Sequence, residues 1–179
     1  MRSALLIGLA LAAVVTGAAR AAVTVNTTVT GGATLSVAGI GAPSFPVVLN
    51  GVDQTKTYTL SESVIDARGL SAGGGWNLTI TSTQFSDGAG HTFPANASTI
   101  TGVTTSCGAS STCTAPTNNI ANSNLTVPIS PSTVKYLNAA NATGLGTVTV
   151  DSTVSVAVPA NVFAGSYSST VTVSIVAGP

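Results

Sequence analysis

From residue 148 to residue 158 the chain alternates strictly. Val148, Val150, Ser152, Val154, Val156 and Val158 fall on one parity, and Thr149, Asp151, Thr153, Ser155 and Ala157 on the other. A period of two puts successive side chains on opposite faces of a pleated strand, so this run predicts a strand with one face in a core and the other in water. The same arithmetic holds for Val23, Val25, Thr27 and Val29, and for Tyr167, Ser169, Val171, Val173 and Ile175. Shorter runs predict strands at residues 34–37, 46–49, 55–62, 76–85, 98–103, 125–129 and 133–137. Nowhere after residue 21 does a 3.6-residue period emerge.

Nine or ten short strands separated by Gly, Pro, Asn and Ser clusters predict an all-β fold, a single antiparallel sandwich or barrel-like domain. No period of 20 to 50 residues repeats, which excludes a solenoid or propeller. Residues 102–123, which include Pro116-Thr-Asn-Asn, are the least regular and are expected to form a surface excursion.

The first residues predict export. Arg2 precedes an apolar run from Ala4 to Val15 that is too short to span a bilayer, and Ala19-Arg20-Ala21 has the small-x-small form of a cleavage site. Residues 1–21 are read as a removed signal peptide, with no membrane span afterwards, and residues 22–179 as one domain. The last residues carry no sortase signal and no apolar tail, so any attachment to a cell is expected to be non-covalent.

Charge narrows the partners. The chain has five basic and five acidic side chains. Removal of Arg2 and Arg20 leaves Lys56, Arg68 and Lys135 against Asp53, Glu62, Asp66, Asp87 and Asp151, with no basic cluster for nucleic acid. A surface solvated mostly by Thr, Ser and Asn repels its neighbours weakly, so self-association is a further expectation. Cys107 and Cys113, with five residues between them, predict a disulfide closing a surface loop in an exported protein. Free thiols or half of a metal site are the alternatives, the second needing ligands that only His91 is left to supply.

Catalysis has little support. A hydrolase triad needs a base oriented beside its nucleophile, and the single histidine, His91, lies in the turn-like Asp87-Gly-Ala-Gly-His. No enzyme activity, cofactor or metal is expected. The Asn-x-Ser/Thr matches at Asn26, Asn77, Asn96, Asn124 and Asn141 follow from composition and carry no information on glycosylation. Trp76, the only tryptophan, is in phase with Leu78 and Ile80, so strand register reads it as core, with ligand contact as the other reading.

Four segments in order resemble the WxL domain of bacterial surface proteins. They are Val64-Ile-Asp-Ala-Arg-Gly, Gly74-Gly-Trp-Asn-Leu-Thr-Ile, Val158-Pro-Ala-Asn-Val-Phe-Ala-Gly-Ser-Tyr167, and the Tyr-x-x-x-Val-Thr-x-x-Ile-x-x-x-Pro ending. The resemblance covers residues 55–179. It implies an exported, non-enzymatic protein held non-covalently at the Gram-positive cell surface, with peptidoglycan as ligand and other surface proteins as partners. It assigns Trp76 and Leu78 to a first motif, and Tyr167, Val171, Thr172, Ile175 and Pro179 to a second. Val173 stands where the second motif normally carries a tryptophan, which would replace a stacking indole by aliphatic bulk. A different reading makes residues 23–37 a strand that adds to a neighbouring copy, and the protein a subunit of an extracellular filament or matrix.

Overall fold

The computed structural model describes residues 34–39, 41, 43–69, 74–109 and 111–178. The expected signal peptide, the alternating segment at 23–29 and Pro179 lie outside these residues. Eight strands are described: β1 (Leu35–Ala38), β2 (Gln54–Asp66), β3 (Trp76–Ser82), β4 (Ser98–Cys107), β5 (Leu125–Thr126), β6 (Val134–Ala139), β7 (Gly146–Val158) and β8 (Val171–Ala177). There is no helix among the described residues.

Strand β7 shows why the alternation matters. Val148, Val150, Ser152, Val154, Val156 and Val158 are all buried, while none of the residues between them is. Flanked by β2 and β4, β7 is the centre of a five-stranded sheet ordered β1-β2-β7-β4-β5. A three-stranded sheet ordered β6-β3-β8 completes the fold, and every pairing in both sheets is antiparallel. The core lies between the sheets. Leu60, Val64, Ile100, Val148, Val150 and Val154 of the larger sheet join Trp76, Leu78, Ile80, Tyr136 and Leu137 of the smaller in one apolar cluster.

Several expectations change, and the strand expected at 125–129 is only Leu125–Thr126. Residues 46–49 are not a strand: Pro46 has no N–H for a ladder, and Val48 and Leu49 are exposed, so no sheet claims the segment. Strand β4 runs through Cys107, so the irregular excursion begins at Gly108 and not at Gly102. The closing strand covers Val171–Ala177, with Tyr167 in the loop before it.

The excursion is held down by hydrogen bonds. Asn118 Oδ1 accepts from the Asn138 N–H at 3.0 Å, and Asn138 Oδ1 from the Asn119 N–H at 2.8 Å. Cys107 and Cys113 stand at disulfide distance, with sulfurs 2.01 Å apart. At the far end of β2, Arg68 donates to both Asp66 carboxylate oxygens, at 2.9 and 2.8 Å, and to the Gly75 carbonyl at 2.8 Å. Burial opposes ionisation of Asp66, but the Arg68 hydrogen bonds prevail and hold its carboxyl below the ordinary range. This clamp carries the chain from one sheet into the other.

Candidate functional site

Trp76 and Leu78 are fully buried. The Trp76 indole N–H donates to the Gly144 carbonyl at 3.0 Å, which satisfies the one polar group of the ring. Gly144 has φ +68°, and a Cβ there would sit 2.7 Å from the indole nitrogen, so only glycine fits against this ring. Trp76 pairs with Ala177, Leu78 with Ile175, Ile80 with Val173 and Ser82 with Val171. The two sequence motifs, about ninety residues apart in the chain, are therefore neighbouring strands. Val171, Val173 and Ile175 pack half-buried against the core, and Thr172 is exposed. Val173 thus fills an inward position.

A second buried group lies between the sheets. Glu62 of β2 is 1% exposed and receives the Tyr136 hydroxyl at 3.4 Å, while its Oε2 has no protein partner. Burial pushes the Glu62 carboxyl up to about 7, with a lesser push from Asp151, and burial likewise drives the Tyr136 phenol upward. Sealed inside the sandwich, this pair has no access to a substrate. Among the other carboxylates, Asp53 caps the Ala160 N–H at 2.8 Å and Asp87 holds the His91 ring at 2.5 Å. The His91 hydrogen bond keeps the Asp87 carboxyl below its ordinary range. No group of three or more His, Cys, Asp or Glu suited to a metal occurs among the described residues.

The open feature is a cleft of about 910 Å3 between residues 41–49 and the loop that follows β7. Phe45, Tyr58, Phe85, Phe93, Phe163 and Tyr167 line it, six of the eight aromatic side chains in the chain. Phe45 stacks on Tyr58 with centroids 6.0 Å apart, and Phe93 lies 5.3 Å from Phe85 and 4.5 Å from Tyr167. Phe163, 63% exposed, stacks at 3.9 Å on His91 at the rim. No charged side chain among the described residues lines the cleft, and Ser44, Ser166, Ser168, Ser169 and Thr170 are part of its lining.

Hydrogen bonds fix these walls. The Tyr167 hydroxyl donates to the Phe163 carbonyl at 3.1 Å, and Ser86 and Ser168 exchange backbone bonds at 3.0 and 2.9 Å. Ser169 Oγ donates to the Thr83 carbonyl at 2.6 Å, and Gln54 holds the opposite wall through the Val48 carbonyl at 2.7 Å. Rings on a tethered frame lose little freedom when a ligand docks.

Of the residues expected to form a site, Tyr167 and Val171 line this cleft and the other described ones do not. Phe45, Tyr58, Phe85, Phe93 and Phe163 carried no spacing signal. Their one trace in the sequence is that Phe163 and Tyr167 share a segment with the resemblance noted above. The family profile described as "WxL domain surface cell wall-binding" matches residues 47–179. No curated protein and no solved structure matches the chain.

Proposed function

The chain belongs to the WxL family of cell-wall-binding surface domains, and from that premise we propose that it is exported, associates non-covalently with peptidoglycan, and does so through the aromatic cleft. The family is one of wall-binding surface domains and not of enzymes, and a cell-surface location follows from it. No helix among the described residues is long and apolar enough to cross a membrane. The observation that carries the reading is the gathering of six aromatic rings and a row of hydroxyls in one uncharged cleft. Sugar rings present apolar C–H faces edged by hydroxyls, which suits such a lining. Carboxylates and phosphates would leave their charge unmet there. The ligand is therefore the glycan part of the wall, and other surface proteins and copies of the chain are secondary partners.

Co-sedimentation of the exported protein with purified peptidoglycan tests this. Binding that survives high salt and is competed by soluble glycan fragments is expected, because no ion pair is available to be screened. Binding abolished by salt, or indifferent to soluble glycan, would overturn the reading. A filament subunit built by strand addition is the rival, and its support is the backbone edge of β8 that no described strand covers.

A further inference from the structure

Strand β8 lies at the border of the smaller sheet and pairs only with β3 among the described residues. Its register with β3 runs without interruption from Ser82↔Val171 to Trp76↔Ala177. Just beyond the two ends of that ladder, the Gly178 N–H donates to the Gly75 carbonyl at 3.1 Å and the Thr83 N–H to the Thr170 carbonyl at 2.8 Å. Hydrogen-bonded pairs alternate in an antiparallel ladder. Thr172, Ser174 and Val176 therefore turn their backbone groups toward β3, and Val171, Val173, Ile175 and Ala177 turn theirs outward. These four have no backbone partner among the described residues. An edge of this length without ladder partners is a template for another strand.

We propose that the outer edge of β8 is a strand-acceptor site filled by residues 23–29 of the same chain, running parallel to β8. The segment has seven residues, as β8 does. With Val23, Val25, Thr27 and Val29 on one parity, it would continue the inward row of Val171, Val173 and Ile175 and leave Thr24, Asn26 and Thr28 beside Thr172 and Ser174.

The way the chain enters β1 sets the direction. The Thr34 carbonyl accepts from Ala67, Arg68 reaches the Gly75 carbonyl, and Gly75 meets Gly178, so β1 begins beside the end of β8. A segment arriving there along β8 runs with it. Residues 30–33, with Gly31-Gly32 at their centre, would then carry the chain over to the other sheet. Five extended steps from residue 29 to residue 34 span about 17 Å, more than the roughly 10 Å between packed sheets. Strand β1 offers a shorter edge, of four residues. A copy whose β8 is covered by its own chain leaves no edge for a neighbour at this strand, so contact between copies would use another surface.

Amide hydrogen exchange on the exported protein, compared with Asn26→Pro, tests the proposal. In a parallel ladder the residues that bond β8 are those between the inward-row positions, Thr24, Asn26 and Thr28, so proline at Asn26 removes a ladder donor at the centre of the segment. The amides of Val173 and Ile175 should be protected in the parent at low concentration and exchange at least about tenfold faster in the variant. Those of Thr172 and Ser174, bonded to β3, should stay protected in both and so report an intact fold. An Asn26→Thr variant, which keeps the donor, should match the parent. Equal exchange at Val173 and Ile175 in parent and Asn26→Pro would overturn the proposal. So would loss of protection confined to β1, or protection that rises with protein concentration, which would place the segment on a second copy.

Discussion

Trp76 and Tyr136 are wholly enclosed by the sandwich, whereas the other six aromatic side chains gather around a cleft that opens to solvent. Both enclosed rings have their polar atom bonded inside the fold, Trp76 to Gly144 and Tyr136 to Glu62. The cleft rings pack on one another along its lining. The residues that make the family recognisable are thus mostly those that hold the two sheets together, and the cleft proposed for the ligand lies beside them. Tyr167 is where the two regions meet: it belongs to the second motif, packs on Phe93 and braces Phe163.

The strongest test of that division is Trp76→Ala. Loss of a fully buried indole removes its transfer energy and leaves a cavity, which should lower stability by about 3–5 kcal/mol in a denaturant titration. Wall association should weaken only as far as the variant unfolds. An unchanged midpoint with lost binding would make Trp76 a ligand contact and dissolve the distinction between the two regions.

The next test sharpens the comparison through pH. Buried Glu62 keeps its proton in the fold up to about 7, whereas an ordinary carboxyl loses it near 4.5. Folding therefore takes up a proton between those values, and stability should fall as pH rises through that window and level off above it. Glu62→Gln should remove the slope and be more stable than the parent at pH 8 by roughly 2–3 kcal/mol, with little difference at pH 4.5. Peptidoglycan binding by folded protein should stay flat over the same range, since no charged side chain among the described residues lines the cleft. A thermal melt series and a sedimentation series over pH measure both. A parent whose stability stays flat between pH 4.5 and 7 would show that Glu62 ionises as freely in the fold as in the unfolded chain.

The core was far more legible in the sequence than the cleft, and the reason is local versus non-local information. Alternation over eleven residues places β7 with the correct face inward, because strand periodicity is a property of consecutive residues. The phase of Trp76 with Leu78 and Ile80 reads as core for the same reason. The cleft draws its rings from Phe45, Tyr58, Phe85, Phe93, Phe163 and Tyr167, on separate segments that only the fold of the two sheets brings together. Residues 46–49 show the limit of the method. The short apolar run Val47-Val48-Leu49 resembles a strand, yet Pro46 and the lack of a partner leave the segment as a wall of the cleft.

The smallest effect on stability, and the most selective effect on function, is expected at Phe163. Its ring is 63% exposed and stacks only on His91, so Phe163→Ala should leave the denaturant midpoint within about 0.5 kcal/mol of the parent. The same ring stands at the rim of the cleft beside Tyr167, where a sugar face would stack, and its loss should cost about tenfold in affinity for peptidoglycan. Phe163→Tyr, which keeps the aromatic face, should restore most of that loss. The three proteins compared by sedimentation and by denaturation separate the alternatives. Unaltered binding by Phe163→Ala would move the ligand away from the cleft, and a large fall in its stability would make the rim part of the core. Only selective loss of binding at Phe163, set against selective loss of stability at Trp76, keeps the two aromatic regions distinct in role as well as in place.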